Sequence, residues 1–270
     1  MQGPIAQALA LTCVGNAFLR GRDVSKFWPD ADVFRFSKSC DFRRVEGERD
    51  TLIAADPLAW FDTLHFAGCR DLRLHHAPRP RGPKQTIPAP DRMLVGFVGG
   101  GPAWLIEQVG GGKSILWQGF DRVGDAHDPH RKIWLNTYLY QGETVPQDFS
   151  AVSMAEIASS LAPVLTEIEA LASKLGENHF ANAFAAAGAL LMGGSAPELV
   201  SDFVHYAPLD AMQLKLLGAV EAAWVFGGMG SWNDVGAPEQ HKADYERLSD
   251  ALFNLCCDAI CAIANATYAA

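Results

Sequence analysis

The sequence has no excess of positive charge. Its 22 Lys and Arg stand against 31 Asp and Glu, giving a formal net charge of −9 and a pI near 5.3. Chains that grip a phosphate backbone or an anionic bilayer usually carry the opposite sign, so neither nucleic acid nor membrane is expected as a partner. No uninterrupted apolar run approaches the ~20 residues needed to cross a bilayer. The apolar start has no Lys or Arg before Arg20 and no small-residue cleavage site. It therefore reads as a core helix within Met1–Arg22 and not as a leader, in a protein expected to be cytoplasmic. The six cysteines, Cys13, Cys40, Cys69, Cys256, Cys257 and Cys261, show neither CxxC nor finger-like spacing. They are expected to be reduced, and Cys257 and Cys261, one helical turn apart, to fill a helix seam.

Complete catalytic motifs are also missing. Gly228-Met229-Gly230-Ser231-Trp232 lacks the Gly-x-Ser-x-Gly frame, and no strand precedes it. Gly111-Gly112-Lys113-Ser114 contains Gly-Lys-Ser but sits between two strand patterns, not ahead of a helix. Asp62-x-x-His65 and Asp202-x-x-His205 do not supply the repeated Glu-x-x-His of a di-iron bundle. Nothing calls for a cofactor.

What is present is an ordinary globular balance, 49% hydrophobic and 20% charged. Phe34–Val45 alternates as a strand, Pro57–Phe66 has helical spacing after Asp56, and Asp71–His76 reads as a short strand. Ala77–Pro90 is a proline-rich loop, basic through Arg79, Arg81 and Lys84. Four strand patterns follow, Met93–Val98, Ala103–Val109, Ser114–Val123 and Lys132–Tyr140, separated by glycine-rich turns. In the last, Trp134, Asn136, Tyr138 and Tyr140 share one face. The expectation is an antiparallel sheet of about five strands with one or two covering helices.

Beyond Gly142–Gln147 no strand pattern remains. Ser153 and Glu156 form a capping box ahead of Ile157, Leu161, Val164, Ile168, Leu171 and Leu175. Asn178–Leu191 is an alanine-rich helix, Ser195–Glu198 a second capping box, and Ala211–Phe226 and Glu239–Ala266 a final helix pair. The fold class is thus α+β, with a sheet domain over 1–147 and a bundle of about five helices over 148–270.

Candidate sites are few. The loop between the last two helices sets Ser231, Trp232, Asn233 and Asp234 side by side, flanked by Gly227, Gly228 and Gly230. Hydroxyl, amide, carboxylate and indole together suit a ligand or a partner, and equally a helix stop with an aromatic plug. Glu221 lies in a nearly continuous apolar run, so it either faces solvent or is buried with a raised pKa. His127 and His130, with Asp125 and Asp128, could begin a metal site that lacks a third ligand from elsewhere. The expected function is a non-catalytic protein- or ligand-binding role of the inhibitor, immunity or adaptor type. The alternative is a small-molecule enzyme with a pocket between sheet and bundle, using Glu221 or Asp234 as acid or base.

Overall fold

The computed structural model describes residues 1–78, 89–144, 153–194 and 201–267. The expected domain boundary at residue 147, the basic positions Arg79, Arg81 and Lys84, and the Ser195–Glu198 capping box lie outside them. Helix α1 (Gly3–Leu19) begins with Pro4 in its first turn and is buried on nearly every side from Ile5 to Ala17. A helix that is apolar all round belongs in the middle of a structure. It packs against both strand β3 (Asp71–Ala77) and the last helix, α7 (Glu239–Asn265).

The sheet has six strands in the order β2-β1-β6-β5-β4-β3. Strands β1 (Ser37–Glu46) and β2 (Arg49–Ala54) form a hairpin turning at Gly47. The chain then crosses through α2 (Pro57–Phe66), whose first turn is capped by the Asp56 carboxylate, to the far edge at β3. It returns as a meander through β4 (Ala103–Gly110), β5 (Lys113–Val123) and β6 (Trp134–Thr144). Because the meander works inward from the opposite edge, β6 arrives beside β1 running parallel to it. The sheet is therefore mixed and not purely antiparallel as expected. Strand β2 had no signal in the sequence, since Arg49-Asp50-Thr51 is a polar edge segment.

Met93–Val98 is not a strand. A one-turn helix, α3 (Asp91–Leu94), runs into turns that occupy Val95–Gly101. The buried Arg92 anchors that segment: its guanidinium donates to Asp250 at 2.6 Å, to Asn233 at 3.1 Å and to Glu246, and lies over the Tyr245 ring. These partners come from α7 and the loop before it, so tertiary contacts override a short apolar run.

On the core face of the sheet Phe42 stacks on Trp60 of α2 with centroids 4.1 Å apart, and on Tyr138 at 5.2 Å. The helical half holds α4 (Met154–Lys174), α5 (Asn178–Leu191), α6 (Ala211–Ala223) and α7, with a 3-10 turn at Asp202–His205. The Ser153–Glu156 capping box is formed. Leu165, not Val164, completes the buried stripe of α4, as a 3.6-residue period requires over a strict heptad. Among the described residues α7 is the one helix long and apolar enough to cross a bilayer. Here its stripe from Tyr245 to Ala264 is buried against the bundle, β3 and α1, while Asp244, Glu246 and Arg247 line its outer side.

One contiguous core runs through both halves. The open edge of β3 is closed by two asparagine amides. Asn16 of α1 accepts from Leu72 N–H at 2.7 Å and donates to Leu72 C=O at 2.9 Å, and Asn265 of α7 does the same for Leu74 at 2.7 and 3.0 Å. Each amide stands in for a neighbouring strand and satisfies backbone groups that an edge would leave unpaired.

Candidate functional site

A cleft of about 670 Å³ opens between the first turns of α1, the core face of β5 and β6, the Val95–Gly101 turns, and Ser201, Asp202 and Glu221 of the helical half. Its size suits a small organic molecule.

Its floor follows from strand alternation. Asn136 sits between Trp134 and Tyr138 on the inward face of β6 and opposite Asp121 of β5. The Asn136 amide donates to the Asp121 carboxylate, while its own carbonyl oxygen Oδ1 is buried with no partner. Tyr138 leans over Gly119, where an added Cβ would lie 3.1 Å from its ring, and burial pushes its hydroxyl well above the usual pKa. On the α1 side, Gln7 donates to Val33 C=O at 2.9 Å and to Ser37 Oγ at 3.0 Å, leaving Oε1 buried and unpartnered. Asp202 accepts the Asp32 N–H at 2.9 Å through one oxygen and keeps the other buried without a partner. The cleft lining thus contains three side chains that each hold back one acceptor oxygen.

Glu221, in the last turn of α6, forms part of the wall. Burial raises its pKa, against the opposing effect of a hydrogen bond from the Ser201 hydroxyl. The lip is built from glycine contacts. Gly96 passes so close to the Gly227–Gly228 turn that a Cβ would meet Gly228 N at 2.6 Å and Gly227 Cα at 2.9 Å. Gly227 itself has φ +85°, and a Cβ there would strike the Gln2 amide at 2.1 Å. That amide bridges Phe226 C=O and the Trp224 indole N–H, fixing the start of α1 to the end of α6.

The residues singled out in the sequence are not gathered together. Glu221 is in the cleft, but Asp234 is not. Its carboxylate accepts the N–H groups of Gly230 and Ser231 at 2.6 and 3.1 Å, capping the 3-10 turn Trp232–Asp234. With Ser231 it borders a smaller hollow of about 480 Å³ beside Lys174, Glu177 and His241. Trp232 is fully buried among Phe180, Phe184 and Tyr245, with its indole N–H donating to Ser249 at 2.7 Å. The Asn233 amide donates to Arg92 C=O at 2.7 Å and its carbonyl accepts from the Arg92 guanidinium. His127 and His130 are exposed in the turn between β5 and β6, where Asp125 and Asp128 cap their backbone N–H groups at 2.9 Å. Among the described residues no three His, Cys, Asp or Glu side chains converge as metal ligands.

A buried Ser-Glu-His set occurs on the sheet. Glu107 accepts from Ser114 at 2.5 Å and pairs with His75 at 2.8 Å. Although burial opposes it, these two hydrogen bonds and the nearby His75 hold the Glu107 carboxyl below its usual pKa. The carboxylate lies between the other two, so the His75 imidazole does not contact the hydroxyl and the set is not ordered as a Ser-His-carboxylate triad.

Sequence reading missed Gln7, Asp121, Asn136 and Asp202. For Asn136 a signal existed: an amide at an inward position between two aromatics of a strand needs a buried partner. No family model matches the chain, and neither a curated protein nor a solved structure matches it, so the reading of its function rests on the cleft alone.

Proposed function

We propose that this chain is a ligand-binding protein and that the cleft beside α1 is its binding site. The supporting observation is a cleft of about 670 Å³ lined by Gln7, Asn136 and Asp202, each of which carries a buried oxygen without a hydrogen-bond partner. An unsatisfied buried acceptor costs about 1–3 kcal/mol, so a ligand that donates to these atoms recovers that cost on binding.

Native mass spectrometry of protein isolated from its own cells tests this. A retained small molecule that is lost in Asn136→Leu supports the reading. A molecule retained equally by that variant, or a bare protein that also ignores a broad fragment set, overturns it.

A second reading has one specific observation behind it: Glu221 lines this cleft with a raised pKa, as a general acid requires. Under that reading Glu221→Gln abolishes turnover of the cleft ligand and leaves its affinity nearly intact. If the ligand is released unchanged by the parent protein, the enzyme reading goes.

A further inference from the structure

The groups that line the cleft define a chemical class of ligand. Resting on the ligand-binding reading, we infer that the cleft takes a small organic cation, an amidinium, guanidinium or ammonium carried on a flat or apolar body.

Every unsatisfied buried atom carried by a described lining residue is an acceptor: the carbonyl oxygens of Gln7 and Asn136 and a carboxylate oxygen of Asp202. Acceptors of this kind are completed only by N–H or O–H donors, and a guanidinium or ammonium carries donors and no acceptor. Gln7 and Asn136 are 4% and 3% exposed, so these oxygens belong to a built interior and not to a solvated rim.

Charge points the same way. Asp32, Asp202 and Glu221 line the cleft, and among the described residues no Lys, Arg or His does. Among the described residues the positive group in the lining is the amino group of Met1, whose charge acts on Glu221. The donors to Glu221 are the hydroxyl and N–H of Ser201, and the donor to Asp202 is the Asp32 N–H, all neutral groups. An anionic ligand would meet repulsion here, whereas a cation is steered inward by an acidic surface.

The walls add aromatic faces. Trp104, Trp134 and Tyr138 line the cleft, and Phe97, 71% exposed, stands on the lip. Cations stack on aromatic faces, with Trp the strongest partner, and the gain rises when water is excluded. A bare metal ion would use neither these faces nor this volume. A cleft of this size with acidic, acceptor-rich polar groups and aromatic sides matches an organic cation.

The test compares three probes of nearly one shape, benzamidinium, neutral benzamide and anionic benzoate, titrated into the whole protein and followed by tryptophan fluorescence and calorimetry. Benzamidinium is expected to bind about ten-fold or more tightly than benzamide, with benzoate weakest. Asn136→Leu and Asp202→Asn should each weaken benzamidinium several-fold, with circular dichroism showing both variants folded. Asp202 lies in a short 3-10 turn outside the sheet, so its variant guards against a sheet defect in the first.

If benzamide or benzoate binds as tightly as benzamidinium, the cationic assignment falls and the binding reading stands. If benzamidinium binds but neither variant weakens it, the cation lies elsewhere and the assignment of this cleft falls. If none of the three probes, nor a guanidinium and a primary ammonium probe, perturbs the protein at millimolar concentration, the inference and the reading beneath it fall together.

Discussion

Asn265 hydrogen-bonds Leu74 as a strand would, accepting the Leu74 N–H at 2.7 Å and donating to its C=O at 3.0 Å. The two residues lie 191 positions apart, so the last helix closes a sheet edge built in the amino-terminal half. Replacing Asn265 with Leu leaves a backbone donor and acceptor unpaired at a half-buried edge. We expect a loss of about 2–3 kcal/mol in urea unfolding. A loss within about 0.5 kcal/mol would mean that water takes over both bonds.

Gly227 and Gly228 separate two costs that glycine avoids. Both have positive φ, +85° and +86°. A Cβ at Gly228 meets nothing within 4 Å, whereas at Gly227 it meets Gln2 and Gly96. Gly228→Ala should cost about 1–2 kcal/mol from backbone strain alone. Gly227→Ala should cost roughly a further 1–3 kcal/mol from overpacking and should also weaken probe binding, since Gly96 and Gln2 shape the cleft. Equal costs for the two variants would show that the crossing with Gly96 opens freely.

Glu221 gives stability a pH slope. Burial raises its pKa above the ordinary 4.5, so the folded protein holds its proton more tightly than the unfolded chain does. Between 4.5 and the raised value the native state binds more protons, and stability falls as pH rises through that window. Glu221→Gln removes this slope, so its stability relative to the parent should increase with pH. Urea midpoints across the acid-to-neutral range would show this, and parallel profiles would sink the assignment.

The cysteines should be chemically quiet. Five are buried, and burial pushes Cys13 and Cys256 up to about 12 and Cys69 to about 11. Burial also raises Cys40, Cys257 and the half-buried Cys261. The thiolate is the reacting species, so at mildly alkaline pH almost none is present. A chromogenic disulfide reagent should titrate all six thiols in denaturant and well under one in the native protein over the same interval. Fast reaction of one native thiol would mark local opening around it.

Local patterns in the chain determined most of the elements. Periodicity, Asp56 before Pro57 and the Ser153–Glu156 box specify α2 and α4, and α5 falls on Asn178–Leu191 as its composition suggests. These signals are legible because caps and apolar stripes act over one or two turns. Glu221 was visible as a carboxylate in an apolar run for the same reason.

Tertiary structure decided the rest. Whether β6 meets β1, and in which direction, depends on a crossover through α2 that no local pattern encodes. Met93–Val98 has a strand's composition, yet Arg92's partners on α7 and Gly96's contact with the Gly227 turn bend it into the lip of a cleft. The cleft draws Gln7, Asn136, Asp202 and Glu221 from segments far apart in the chain. Gln7 and Asp202 are unremarkable residues in their own stretches. The four residues become a candidate site only because packing buries an acceptor on three of them without supplying a donor, and that is a property of the assembled core.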